Sequence, residues 1–259
     1  MNVLNRPWGA MHYRVDGPAD GLPVVFANSL GTDLRLWDSV LSRLPGIRAI
    51  RFDKRGHGLS DLGGWPSIAD LAEDAAALID HLKPGRVVFV GISVGGIIGQ
   101  ALAAARPDLV KALVLSNSAV IMGSPHLWQA RIEVIRQGGT AAITDAVMER
   151  WFGPAFRALP QLAAWRNMLI RTDDQGYIAI CKAIAAADLT ATAQSLRLPV
   201  QVIAGAADGS SPPDQVEATA RLIEGAAYHC IPDVGHLPPV EAPQAFAECL
   251  VSFLKDRAR

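Results

Sequence analysis

Residues 87–105 run without a single charge for long enough to cross a bilayer as a helix, yet they contain Gly91, Gly95, Gly96 and Gly99 together with Ser93 and Gln100. Each glycine in a helix interior costs about 1 kcal/mol relative to alanine, so the stretch does not make one continuous apolar helix. Val87, Val88 and Val90 precede the glycines and alanines follow them. That order reads as a buried strand, a sharp turn and a helix, with a serine on the turn.

The same alternation recurs along the chain. Runs at 23–28, 47–53, 86–91, 111–117, 199–205 and 227–231 are apolar on both faces, as strands of a parallel sheet covered by helices should be. Ser67 is the expected N-cap of a helix over 67–82 with Asp70 three residues on, and residues 241–254 form an amphipathic C-terminal helix. The class this predicts is α/β, with a mostly parallel, doubly wound sheet.

From residue 123 to 187 the alternation stops, and four consecutive helical patterns follow at 128–137, 140–152, 159–171 and 174–187. They predict a helical cap inserted into a core made of residues 1–122 and 188–259. Trp128, Trp151 and Trp165 lie in it, and aromatic side chains above a sheet edge suit both packing and a ligand cavity.

Composition removes several other classes. Lys and Arg number 24 against 25 Asp and Glu, scattered along the chain, which gives no basic patch for nucleic acid or a membrane surface. The first residues lack an apolar signal core, so a cytoplasmic location is expected. Cys181, Cys230 and Cys249 are odd in number and have no CxxC spacing, so buried thiols are expected rather than disulfides or a zinc site.

The serine turn carries the chemistry. Gly91-Ile92-Ser93-Val94-Gly95 is G-x-S-x-G between an expected strand and an expected helix. There the tight backbone pushes Ser93 Oγ out of the sheet as a nucleophile. A serine hydroxyl needs a base, and the base needs an orienting acid. Asp208 lies just past the strand at 199–205, and His236 lies in the Gly- and Pro-flanked loop after the last strand. The oxyanion of an acyl-transfer intermediate needs backbone donors, expected from the N–H groups of Val94 and of Leu30 in Asn28-Ser29-Leu30-Gly31. His57 is expected to stabilise its loop, and His12, His81, His126 and His229 to be structural.

The order Ser93, Asp208, His236, with Asp53-Lys54-Arg55-Gly56-His57-Gly58 and Gly235-His236-Leu237-Pro238-Pro239, resembles the α/β-hydrolase superfamily. Asn28-Ser29-Leu30-Gly31-Thr32-Asp33 followed by Trp37-Asp38, with Trp128, Arg131-Ile132 and Arg150-Trp151-Phe152, is similar to the 3-oxoadipate enol-lactonases within it. Two positions depart from that pattern: Asp208-Gly209-Ser210-Ser211, where a Thr-Pro turn is common, and Lys54, where Ala or Arg is frequent. The resemblance implies hydrolysis of a small-molecule lactone, 3-oxoadipate enol-lactone, in aromatic catabolism, with no metal or organic cofactor. It also implies a receptor for the substrate carboxylate, for which Trp128 and Arg131 are the candidates, with Ser29 as a further substrate-binding residue. A small-ester carboxylesterase, a perhydrolase and a C–C hydrolase share the same fold and triad, so the motifs leave the substrate open.

Overall fold

The computed structural model describes residues 1–255. Eight strands form one sheet: β1 (Asn2–Arg6), β2 (Gly9–Asp16), β3 (Leu22–Ala27), β4 (Ile47–Phe52), β5 (Val87–Ile92), β6 (Val110–Ser116), β7 (Val200–Gly205) and β8 (Ala227–Ile231). Their spatial order is β1-β2-β4-β3-β5-β6-β7-β8. β2 pairs antiparallel with β1 and β4, and every other neighbouring pair is parallel. The strand order reverses beside β3 and β5, the switch point at which open α/β sheets place their sites.

Helices of eight residues or more are numbered α1 (Ile68–Leu82), α2 (Val94–Ala105), α3 (Pro125–Gly138), α4 (Thr144–Trp151), α5 (Leu162–Ile170), α6 (Asp174–Ala185), α7 (Pro213–Leu222) and α8 (Pro243–Lys255). Ser67 and Asp70 close a reciprocal capping box on α1. β5 is buried along its whole length, as its uncharged, largely apolar run predicts. On another part of the core Trp37 is wedged between Phe26 of β3 and Phe246 of α8. No helix among the described residues is long and apolar enough to cross a membrane.

The segment between β6 and β7 holds α3 to α6, and glycines at the carboxyl ends of the strands touch it. A Cβ on Gly31, after β3, would stand 2.7 Å from Leu169 and 3.0 Å from Tyr177. Gly235, after β8, packs its Cα against the backbone of Trp151 and Phe152. These helices therefore lie over the end of the sheet that bears the loops.

Several local expectations change. The helix expected at 140–152 opens as a 3-10 turn, Thr140–Ile143, before α4. The one at 159–171 starts only at Leu162, after Pro160. Pro243 divides the C-terminal helix, leaving a short Pro238–Glu241 segment before α8. β8 is half exposed rather than apolar on both faces, because it forms the edge of the sheet. Cys181 is buried, whereas Cys230 and Cys249 are only half-buried; all three are free thiols.

Candidate active site

Ser93 stands between β5 and α2 with φ 56° and ψ −123°, a conformation that costs a non-glycine residue on the order of 1–3 kcal/mol. Its surroundings hold it there. Ser93 N–H donates to Ser116 O on β6 at 2.9 Å, and Ser93 O accepts from Gly96 N at 2.9 Å and from Ser118 Oγ at 2.8 Å. The glycines are required by close approach: a Cβ on Gly91 would collide with the Gly95 carbonyl, and one on Gly95 with the backbone of Ala27.

Asp208 follows β7 and is buried. Its Oδ1 accepts from the N–H groups of Ser210 at 2.7 Å and Ser211 at 3.0 Å, and its Oδ2 from Asn117 Nδ2 at 2.8 Å and His236 Nδ1 at 2.8 Å. A carboxylate only accepts, so Nδ1 carries a proton and Nε2 is the nitrogen left facing away from Asp208. Asn117, at the end of β6, was not singled out from the sequence. It has φ 48° and also donates to Gly235 O at 3.3 Å, so one side chain ties the acid loop to the histidine loop. An asparagine closing a strand, tolerant of the left-handed region, was the available signal.

The His236 loop is fixed from two further sides. His236 N–H donates to Trp151 O at 2.7 Å. The carboxylate of Glu241 accepts from Gly235 N–H at 2.9 Å and from Gly153 N–H at 3.0 Å, clamping the loop to the end of α4. Burial raises the Glu241 pKa, against the lowering effect of those two N–H groups. The structure thus joins His236 to Asp208, while no hydrogen bond links Ser93 Oγ to His236 among the described residues. Such a contact commonly tightens only in the substrate complex.

Leu30 and Val94 each present an N–H for which no described hydrogen bond accounts. Val94 heads α2, where the first N–H groups of a helix lack intrahelical acceptors. Leu30 lies in a loop held by several hydrogen bonds. Asn28 Nδ2 donates to Thr32 O, Gly31 N–H donates to His57 Nε2 at 3.0 Å, and Ser29 O accepts from Thr32 Oγ1 at 2.9 Å. His57 therefore secures its loop, as expected.

The helices above the sheet correct one expectation. Trp128 Nε1–H donates to Met122 O at 2.6 Å, so in this structure the indole donor expected for a carboxylate is already taken. The guanidinium of Arg131 stacks over that indole at 4.7 Å from the ring centroid. Arg131 and Arg150 both flank Tyr177, whose burial pushes its phenol up to about 12. Burial, and next the like charge of Arg131, lower the pKa of Arg150. Neither guanidinium has a carboxylate partner among the described residues, although Tyr177 beside them touches Gly31 of the Leu30 loop. Ser29 is buried, and its described bonds are made by its carbonyl.

A strained serine at a strand-to-helix elbow, with a buried His–Asp pair from the last two strand ends, defines an α/β-hydrolase arrangement. The sequence profile of the Alpha/beta hydrolase family matches residues 24–249, and the chain belongs to that family and is a hydrolase. It is similar to 3-oxoadipate enol-lactonase 2 of Acinetobacter baylyi, 34% identical over 95% of this chain and 93% of that protein. An enol-lactonase structure from Burkholderia xenovorans LB400 superposes with a TM-score of 0.94 at 37% identity, covering 98% of this chain and all of the other. A thermophilic esterase from Thermogutta terrifontis, with malate bound, superposes at 0.90 and 28% identity over 96% of this chain and 94% of that one.

Proposed function

We propose that this hydrolase opens 3-oxoadipate enol-lactone to 3-oxoadipate by serine-based acyl transfer. The observation that supports the reaction type is Ser93 held at φ 56° on the elbow after β5, together with a buried His236–Asp208 pair in the loops after β8 and β7. Near full-length similarity to enol-lactonases supports the substrate.

In this reading His236 Nε2 takes the Ser93 hydroxyl proton as Oγ attacks the lactone carbonyl, and Asp208 holds the tautomer and balances the developing imidazolium. The N–H groups of Leu30 and Val94 receive the oxyanion. Collapse of the tetrahedral intermediate breaks the ring C–O bond. The leaving enolate oxygen takes the proton from His236 and remains tethered through the acyl chain. Its tautomerisation to the ketone makes the opening effectively irreversible. Water, deprotonated by His236, then releases Ser93, so side chains and water suffice for every step.

The carboxylate of the substrate calls for a cation. Arg131 remains a candidate, and Arg150 joins it, because two half-buried guanidiniums without carboxylate partners repel each other until an anion bridges them.

Loss of the enol-lactone's ultraviolet absorbance on adding enzyme, compared with p-nitrophenyl acetate hydrolysis, tests the substrate. The expected result is a kcat/KM for the lactone at least ~100-fold above that for the ester. Serine-dependent ester turnover without lactone loss would reject the lactonase reading and favour an esterase.

A further inference from the structure

The loop that offers Leu30 N–H is gripped from behind by a lysine. Lys54, just after β4, is buried and donates from Nζ to Ser29 O at 2.6 Å and Thr32 O at 3.3 Å. Ser29 O and Leu30 N–H belong to the same planar trans peptide, in which the C=O and the N–H point in opposite directions. A donor on Ser29 O therefore decides where Leu30 N–H points. A cationic donor also polarises that peptide and makes its N–H a stronger donor. The next peptide is fixed as well, since its Gly31 N–H is spent on His57.

The charged neighbours of Lys54 are few and already engaged. Asp53 accepts from His12 Nδ1 at 2.8 Å, Leu34 N at 2.8 Å and Leu59 N at 3.0 Å, while Asp33 is paired with Arg35. Neither carboxylate forms an ion pair with Lys54 among the described residues. Burial is the dominant influence and lowers the ammonium pKa to about 7, against the raising effect of Asp53 and Asp33. Beside it, burial and next the Lys54 charge hold His57 well below its ordinary range, consistent with a neutral ring whose Nδ1 faces Arg55 O at 3.1 Å. The Arg35 pKa is raised by its hydrogen bond to Asp33, so that guanidinium stays charged throughout the neutral range.

We propose that Lys54 is a positioning residue of the oxyanion hole: its charge acts through the Ser29–Leu30 peptide on the Leu30 N–H, which is strongest while Lys54 is protonated. The proposal rests on the serine-hydrolase reading and not on the identity of the lactone. Its pH signature has a definite sign. The charged form prevails below the lowered value and is lost as pH rises through it, whereas general-base catalysis by a histidine improves with rising pH. Lys54 therefore produces a fall on the alkaline side, read in kcat rather than KM.

The test is kcat and KM between pH 6 and 9 on the lactone and on p-nitrophenyl acetate, for the wild type, Lys54→Met and Lys54→Arg. Alongside them, the Lys54 side chain is titrated by NMR in protein labelled with ¹³C at lysine Cε. The wild type should lose several-fold in kcat over the pH range in which Lys54 itself titrates. Lys54→Met should be roughly 10-fold slower at pH 6.5 with KM within about two-fold, a partial version of losing an oxyanion donor. Lys54→Arg, charged at every accessible pH, should recover most of that loss and abolish the alkaline fall. A flat wild-type kcat, a Lys54 signal that does not titrate in this range, or a Lys54→Met effect confined to KM or thermal stability would overturn the proposal. Should either variant fail to fold by circular dichroism, the wild-type profile and the titration still decide. Turnover that survives Ser93→Ala would instead reject the serine-hydrolase reading, leaving the two failures distinct.

Discussion

Two buried His–Asp pairs stand among the described residues, and by local geometry they are hard to tell apart. His236 Nδ1 meets Asp208 Oδ2 at 2.8 Å, and His12 Nδ1 meets Asp53 Oδ2 at 2.8 Å. Each carboxylate also accepts two backbone N–H groups, Ser210 and Ser211 in one case and Leu34 and Leu59 in the other. The difference lies in what each histidine is built on. His12 sits within β2, paired with Val3 across the sheet, and its backbone is tied to Ser60 Oγ and Asp53 N. His236 lies on a loop anchored by Trp151 and Glu241 at the strand ends where the elbow of Ser93 also emerges. A hydrogen-bonded dyad is a general way to bury two polar groups. In the proposed mechanism, a nucleophile held in a strained turn is what separates a reacting pair from a structural one.

Substitutions can break that comparison. The largest expected effect is on the reacting side: Ser93→Ala or His236→Ala should lower kcat on the order of 10⁶-fold, and Asp208→Asn about 10⁴-fold, with folding intact. Asp53→Ala should instead cost roughly 3 kcal/mol or more in urea unfolding, because it strips a buried histidine and two N–H groups of their acceptor. His12→Ala should leave kcat of the folded enzyme within about three-fold, since a structural residue outside the site affects stability before rate. Equal losses of kcat in the His12 and His236 variants would erase the distinction.

Smaller effects sharpen the role of the helical layer. Arg150→Ala should raise KM for the carboxylate-bearing lactone by roughly 10-fold or more while sparing p-nitrophenyl acetate, which has no anion to bind. Trp128→Phe should change kcat/KM less than about three-fold and cost about 1 kcal/mol of stability, the worth of its hydrogen bond to Met122 O. A large loss of kcat/KM in Trp128→Phe would return the indole to the site.

The elbow was legible in the sequence because its constraints are local: a valine run, two obligatory glycines and a serine on one turn. Asp208 and His236 were legible because their order and their positions at strand ends agree. The contents of the helical layer were not. Spacing three apart puts Trp128 and Arg131 on one helix face, but says nothing of the Met122 carbonyl lying within reach of the indole. Arg150 entered the sequence reading only through the motif Arg150-Trp151-Phe152, because Arg131 and Tyr177, which flank it, come from other helices. Lys54 was visible only as a departure from a family pattern. Its meaning depends on which carbonyls it reaches, 22 and 25 residues away in sequence.

The most direct test of the account is active-site labelling. Wild type, His12→Ala and His236→Ala are treated with a fluorophosphonate, and the modified peptide is located by mass spectrometry as labelling proceeds. The account predicts modification of Ser93 alone, at similar rates in the wild type and His12→Ala and nearly abolished in His236→Ala. Labelling of another residue, or equal slowing in the two histidine variants, would contradict it.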